Sequence, residues 1–120
     1  MKYLLAIYEN DDVLTAHSPE HWQQIIKETD AHNASLFASG ELIGAYGVAA
    51  QTEAKKVRCA DGATLVTDGP YIEAKEYLGS FYVIDCESLE RAIEIAAEMP
   101  AARYTDIEIR PLLHEGSPDV

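Results

Sequence analysis

Cysteine is scarce in this chain: Cys59 and Cys86 are the only two among 120 residues. They form no CxxC pair, and two are too few for a disulfide framework or a metal cluster. Basic residues are scarce as well. Nine Lys and Arg stand against 21 Asp and Glu, for a formal net charge of −12. Such a chain repels a phosphate backbone, and its one basic cluster is Lys55, Lys56 and Arg58. Nucleic acid is therefore not expected as a partner. No long hydrophobic run occurs. In the opening MKYLLAIYEN six apolar or aromatic residues run between Lys2 and Glu9, too short a run for a secretory signal or a membrane span. A cytoplasmic protein with reduced thiols and no membrane contact is expected. GxGxxG, Walker, GxSxG and HExxH patterns are also missing, so no nucleotide or hydrolase reading is supported and no cofactor is expected.

What the chain does contain is an ordered set of element signals. Its length suits one domain, expected over residues 1–113 with a loose polar tail at 114–120. Tyr3 to Tyr8 reads as a strand. Ser18 offers an N-cap, Pro19 the first helical position and Gly40 a left-handed stop, which predicts a helix ending at about Ser39. Its inward stripe reads Trp22, Ile25, Ile26, Thr29, Asn33, Leu36 and Phe37, with spacings of three and four. Leu42 to Ala50 reads as a second strand. Asp61-Gly62, between Lys56–Cys59 and Thr64–Thr67, is a strong hairpin signal. Asp68-Gly69 precedes Pro70, which cannot donate to a ladder, so 70–78 reads as a loop. Gly79 to Cys86 is a strand, with Cys86 a small core residue. Ser88 caps a helix with Leu89, Ala92, Ile93, Ala96 and Ala97 on one face, ended by Pro100. Thr105 to Leu113 is the last strand.

The expected fold is thus α+β: a ferredoxin-like βαββαβ chain with an extra β-hairpin. Right-handed crossovers put both helices on one sheet face. Yet the first strand is apolar on both sides, with Tyr3, Leu5 and Ile7 on one and Leu4, Ala6 and Tyr8 on the other. The strand at 79–86 repeats this. A face without helices should alternate with polar residues. A second sheet is needed to cover it, and a second copy of the chain is its simplest source. A homodimer with sheets packed face to face is expected, a dimeric α+β barrel.

The densest ionisable group is Asp68, Glu73, Lys75 and Glu76. Two carboxylates with a lysine between them suit acid–base work if burial separates their proton affinities. The plainer reading is architecture: Asp68 folding back as an Asx-turn, and Glu73 pairing with Lys75. A second candidate is the polar breach at Thr29, His32 and Asn33 in the first helix. Polar groups facing a core need partners, and these can line a cavity between helix and sheet. The alternative is a solvated His32 at the edge of the stripe. Tyr71, Tyr77 and Tyr82 can wall an aromatic pocket or simply pack. His21 and His32 share a helix face but lie ~16 Å apart, too far to share one metal. His17 and His21 have i, i+4 spacing, but His17 precedes the cap, so no metal site is expected.

The opening MKYLLAIY, the run TDGPYIEAKEYLGSFYVID and the closing AAEMPAARYTDIEIRPL resemble the YCII-related superfamily, and within it the subgroup named for its DGPF motif. Tyr71 stands where the motif name has Phe. The resemblance covers residues 1 to 113. It implies a dimeric α+β barrel built from ferredoxin-like protomers, with biochemical activity largely unassigned. It also implies that some relatives sit beside sigma factors of the extracytoplasmic-function type. YCII-type relatives have been proposed as enzymes through a His in the first helix that faces an Asp just before a Pro. Here Met99 precedes Pro100 and Thr29 occupies the helix position, with His32 one turn later, so that pair is missing. The expected function is a small organic ligand held in a cavity near the DGPY loop by Thr29, His32, Asn33, Asp68, Tyr71, Glu73, Lys75 and Glu76. One alternative is an accessory module for a sigma factor. Another is an enzyme using Asp68 or Glu73 as acid–base, with Lys75 as electrostatic partner.

Overall fold

A computed structural model describes residues 1–69 and 75–118. Strand β1 (Lys2–Asn10) is followed by a short helix α1 (Asp11–Thr15) and a long helix α2 (Pro19–Ser39). Then come β2 (Leu42–Gly47), β3 (Lys55–Ala60), β4 (Ala63–Asp68), β5 (Glu76–Asp85), α3 (Leu89–Glu98) and β6 (Ile107–Pro111). Short 3-10 turns occupy Gln51–Glu53 and Pro100–Arg103. Four strands form one antiparallel sheet in the order β2-β5-β1-β6. The units β1-α2-β2 and β5-α3-β6 interleave, which is the split βαβ arrangement of ferredoxin-like α+β proteins.

Local chemistry explains the helix ends. The Ser18 side chain accepts from His21 N at 3.1 Å, with Pro19 in the first turn. At the other end Gly40 takes φ 82°. Its N–H reaches Phe37 O at 3.1 Å, and Glu41 N reaches Leu36 O at 3.0 Å. These paired bonds satisfy carbonyls that the helix leaves open. Helix α1 was not read from the sequence. Asn10 caps it by accepting from Asp12 N at 2.8 Å, and Asp11 and Asp12 sit in its first turn. Five residues are too few to display a helical period.

The core lies between the helices and one sheet face. Tyr3, Leu5 and Ile7 of β1 meet Tyr82 and Ile84 of β5, with Leu36 of α2 and Ala92, Ile95 and Met99 on the α3 side. This corrects both expected helix stripes. Ile26 and Phe37 of α2 are 58% and 54% exposed, and on α3 Leu89 and Ile93 face out while Ile95 is fully buried. Ala92, Ile95, Ala96 and Met99 also satisfy helical spacing. Ala92 and Ala96 belong to both readings, and the buried face is turned toward Ile95 and Met99. Arg91 then forks onto Glu41, with Nε and Nη2 each 2.8 Å from a carboxylate oxygen, and fastens α3 to the start of β2.

Several boundaries move. Strand β2 ends at Gly47, where Ala50 was expected, and β6 spans only Ile107–Pro111. Glu76, Tyr77 and Leu78 belong to β5 and not to a loop. The tail is tied to β1: Leu112 N donates to Lys2 O at 3.0 Å, and Lys2 Nζ lies 2.6 Å from Glu115. The hairpin at Asp61-Gly62 stands as read. Asp61 and Gly62 have φ of 51° and 77°, and Cys59 opposes Thr64, the geometry of a two-residue primed turn. It forms its own two-stranded sheet and does not extend the main one. The other face of the main sheet carries Leu4, Phe81 and Val83, and no described helix packs on it.

Candidate functional site

A cavity of about 300 Å³ opens between α2 and the end of β1. Each wall comes from a different part of the chain. Helix α2 presents Trp22, Ile25, Thr29 and His32, spaced along one face. Strands β1 and β5 supply Ile7, Glu9, Ser80 and Tyr82, the turn after α3 supplies Met99 to Ala101, and Tyr104 closes one side. The lining is mainly apolar with a few polar groups, the usual character of a small-molecule site.

Its polar groups differ in how well they are satisfied. Thr29 Oγ1 donates to Ile25 O at 2.8 Å, so its hydroxyl hydrogen is spent on the helix. His32 keeps only 15% side-chain exposure. Its Nε2 is buried without a hydrogen-bond partner, and the nearest charge, Glu98 Oε2, is 3.6 Å away, beyond hydrogen-bond range. Asn33 turns toward the Tyr82 hydroxyl, leaving its own Oδ1 buried and unpartnered. Burial pushes the Tyr82 phenol up, the Asn33 hydrogen bond opposes this, and Asp30 adds to the rise. Unsatisfied buried polar atoms are uncommon in native proteins and call for an explanation.

The rim is aromatic. His21 Nε2 and Tyr104 Oη share a hydrogen bond at 2.6 Å, and His17 stacks on His21 with centroids 4.4 Å apart. Trp22 Nε1 donates to Leu14 O at 2.9 Å, which fixes α1 beside α2. The i, i+4 pair His17 and His21 is thus part of an aromatic cluster. Sequence reading missed Tyr104 as its partner, because 83 positions separate it from His21. Among the described residues no three His, Cys, Asp or Glu side chains gather as a metal site.

The expected site residues divide. Thr29 and His32 line the cavity, and Asn33 lies behind it against Tyr82. Asp68 ends β4 on the separate hairpin, exposed and ion-paired with Lys55. Lys75 is exposed and 3.3 Å from Asp12, and Glu76 opens β5 opposite Asn10. None of Asp68, Lys75 and Glu76 lines the cavity. Asp68, Lys75 and Glu76 thus stand apart from Thr29 and His32, and Asp68 lacks the burial that an acid–base role required. Tyr71 and Glu73 lie outside the described residues. Thr29, Met99 and Pro100 converge on the cavity.

Fold and site together define a ferredoxin-like α+β protein with a small, largely apolar cavity between its sheet and its long helix. The chain belongs to the YCII-related domain family, whose model matches residues 1–114. It is 32% identical over 114 residues to an uncharacterised protein of Rhizobium meliloti (strain 1021), covering 93% of this chain and 92% of that one. Its fold is similar to that of the 5-chloro-2-hydroxyhydroquinone dehydrochlorinase TftG from Burkholderia phenoliruptrix AC1100, solved in complex with 2,5-dihydroxybenzoquinone. That likeness has a TM-score of 0.51 at 15% identity and covers 96% of each chain. No helix among the described residues is long and apolar enough to cross a membrane.

Proposed function

We propose that the protein binds a single-ring-sized organic molecule in the cavity between α2 and the sheet. The observation that carries this reading is the buried Nε2 of His32, which makes no hydrogen bond, in a mainly apolar wall. A ligand hydroxyl or amine supplies the missing hydrogen bond, and leaving it unmade costs about 1–3 kcal/mol. A cavity of about 300 Å³ stands at the small end of ligand sites, which run from roughly 300 to 1,000 Å³. TftG, of similar fold, holds a one-ring compound, which supports the size class. With Thr29 and Met99 in place of the His–Asp pair, binding is the role the residues support and no reaction is derived. The DGPY run at 68–71 supports a place in the DGPF subgroup, and the free thiols of Cys59 and Cys86 support a reducing compartment, the cytoplasm.

The test is a thermal-shift screen of neutral and charged monocyclic compounds on wild type and on Ile26→Trp. Ile26 lines the rim yet is 58% exposed, so a Trp there obstructs the cavity without disturbing the core. A ligand at a hundred times its Kd adds ~2.7 kcal/mol. Compounds that stabilise wild type and leave Ile26→Trp unmoved are the expected result. Stabilisation that survives in Ile26→Trp, or no hit at all, refutes the reading.

A second reading concerns assembly. The helix-free sheet face with Leu4, Phe81 and Val83 supports a face-to-face homodimer closing an α+β barrel. The radius of gyration of 16.8 Å exceeds the roughly 14 Å of a compact chain this long, which also favours a covering partner. The expected light-scattering mass is twice the 13.2 kDa of one chain.

A further inference from the structure

We propose that the cavity selects its ligand by charge, taking a monocyclic amine whose ammonium group meets Glu9 and rejecting the carboxylate of the same shape. This rests on the reading of the cavity as a ligand site and adds the ligand's charge to it.

The placement of Glu9 follows from strand register. Tyr3, Leu5 and Ile7 alternate onto the helix-covered face of β1, and Glu9 is the next member of that series. Opposite it the ladder slips. Ile7 pairs with Ser80, but Tyr8 pairs with Leu78, which leaves Gly79 as the extra residue of a bulge. A Cβ on Gly79 would collide with the carboxyl end of Glu9. Glu9 is therefore folded over the bulge glycine, half-buried, at the cavity wall. A side chain at position 79 would displace the Glu9 carboxyl group from this place.

Among the described residues no basic side chain is paired with this carboxylate. Among the described residues nothing donates to Glu9, and the cavity lining contains no Lys or Arg. Residues 70–74, PYIEA, contain neither type. The nearby cations are engaged elsewhere: Lys75 with Asp12 and Arg103 with Glu28. His32 is the one lining base that could offset an anion, and it already faces Glu98. The remaining charges near this end are acidic. Asp11 accepts from the Tyr77 hydroxyl beside Glu9. The Tyr77 phenol is pushed up to about 12, first by that hydrogen bond and then by burial and the Asp11 and Glu9 charges. Trp22 and Tyr104 complete the wall with aromatic surface, which favours a cation over an anion. A carboxylate entering here would be desolvated beside another carboxylate with no counter-charge, the arrangement that specificity by repulsion uses.

The experiment uses three probes with one ring: tyramine, 4-ethylphenol and 4-hydroxyphenylacetate. Each is titrated by calorimetry into the full chain at pH 7 and 150 mM salt, with wild type, Glu9→Gln and Ile26→Trp. The expected result is that tyramine binds wild type at least ten-fold tighter than 4-hydroxyphenylacetate. In Glu9→Gln that ratio falls below about three, while 4-ethylphenol binds as before. Equal affinity for tyramine and 4-hydroxyphenylacetate, with 4-ethylphenol bound and blocked by Ile26→Trp, overturns the charge selection and leaves the cavity reading standing. Tyramine binding that persists in Ile26→Trp reports attraction to the acidic surface and overturns the proposal. Binding of none of the three overturns both readings. If Glu9→Gln does not fold, the wild-type ratio alone decides.

Discussion

His32 offers a sharp test of whether the cavity exists for a ligand, because the two explanations of its buried Nε2 predict opposite signs. A buried polar atom without a partner costs about 1–3 kcal/mol in the ligand-free protein. Leucine is similar in size, carries no polar atom and is a few tenths of a kcal/mol better in a helix. If His32 is kept for a ligand, His32→Leu should stabilise the ligand-free protein by about 1 kcal/mol and abolish the response to cavity ligands. Unfolding entropy near 2.1 cal/mol/K per residue gives about 0.25 kcal/mol/K for a chain this long, so the expected rise in Tm is about 4 °C. Urea unfolding and thermal melts without added ligand read both quantities. A loss of 1 kcal/mol or more would refute the reasoning, since His32 would then be holding the fold, with Glu98 at 3.6 Å as its partner. In that event Glu98→Gln would lose the same amount.

The Arg91 hydrogen bonds hold the Glu41 carboxyl down, from an ordinary 4.5 to about 2, against an opposing push from burial. A depressed carboxylate contributes stability that is fully present above the unfolded value and is lost as pH falls through the folded one. The clamp between β2 and α3 should therefore weaken between pH 4.5 and about 2, and in Arg91→Gln the Glu41 carboxyl should titrate near 4.5 by carbon-detected NMR; a value unmoved near 2 would show that Arg91 is not the cause. Phe81→Asp places a charge on the helix-free sheet face, and its light-scattering mass should drop to that of one chain. A mass unchanged from wild type would remove that face from the interface.

What was legible in the sequence had chemical punctuation. Ser18, Pro19 and Gly40 mark the ends of α2 because capping groups and a left-handed stop are needed there whatever the tertiary contacts. Asp61-Gly62 marks its turn for the same reason. The breach at Thr29 and His32 was visible because polar residues interrupted an apolar period, and both line the cavity. The stripe of α3 was right at Ala92 and Ala96 and wrong at Leu89 and Ile93, because Ile93 and Ile95 both fit a helical period and only the tertiary packing separates them. Glu9 was invisible as a site residue. It continues the alternation of Tyr3, Leu5 and Ile7, but no local pattern encodes the register slip at Gly79, seventy positions away, that leaves its carboxyl group room. Asp68 stood out in the sequence through the density of ionisable groups around it. Density without burial does not tune a carboxylate, as Asp68, exposed against Lys55, makes plain.

The position of β1 bears on how this chain reaches its native state. The first strand lies in the middle of the sheet, and both of its neighbours, β5 and β6, come from the C-terminal half. A chain emerging from the ribosome therefore makes β1 long before anything can pair with it. Until about residue 85 has appeared, a strand apolar on both faces waits with its hydrogen-bonding groups unpaired, the condition that favours aggregation. Closing so long a loop before contacts repay it also slows folding. The interval between the synthesis of β1 and that of β5 is where this protein is most exposed to misassembly and has most use for a chaperone.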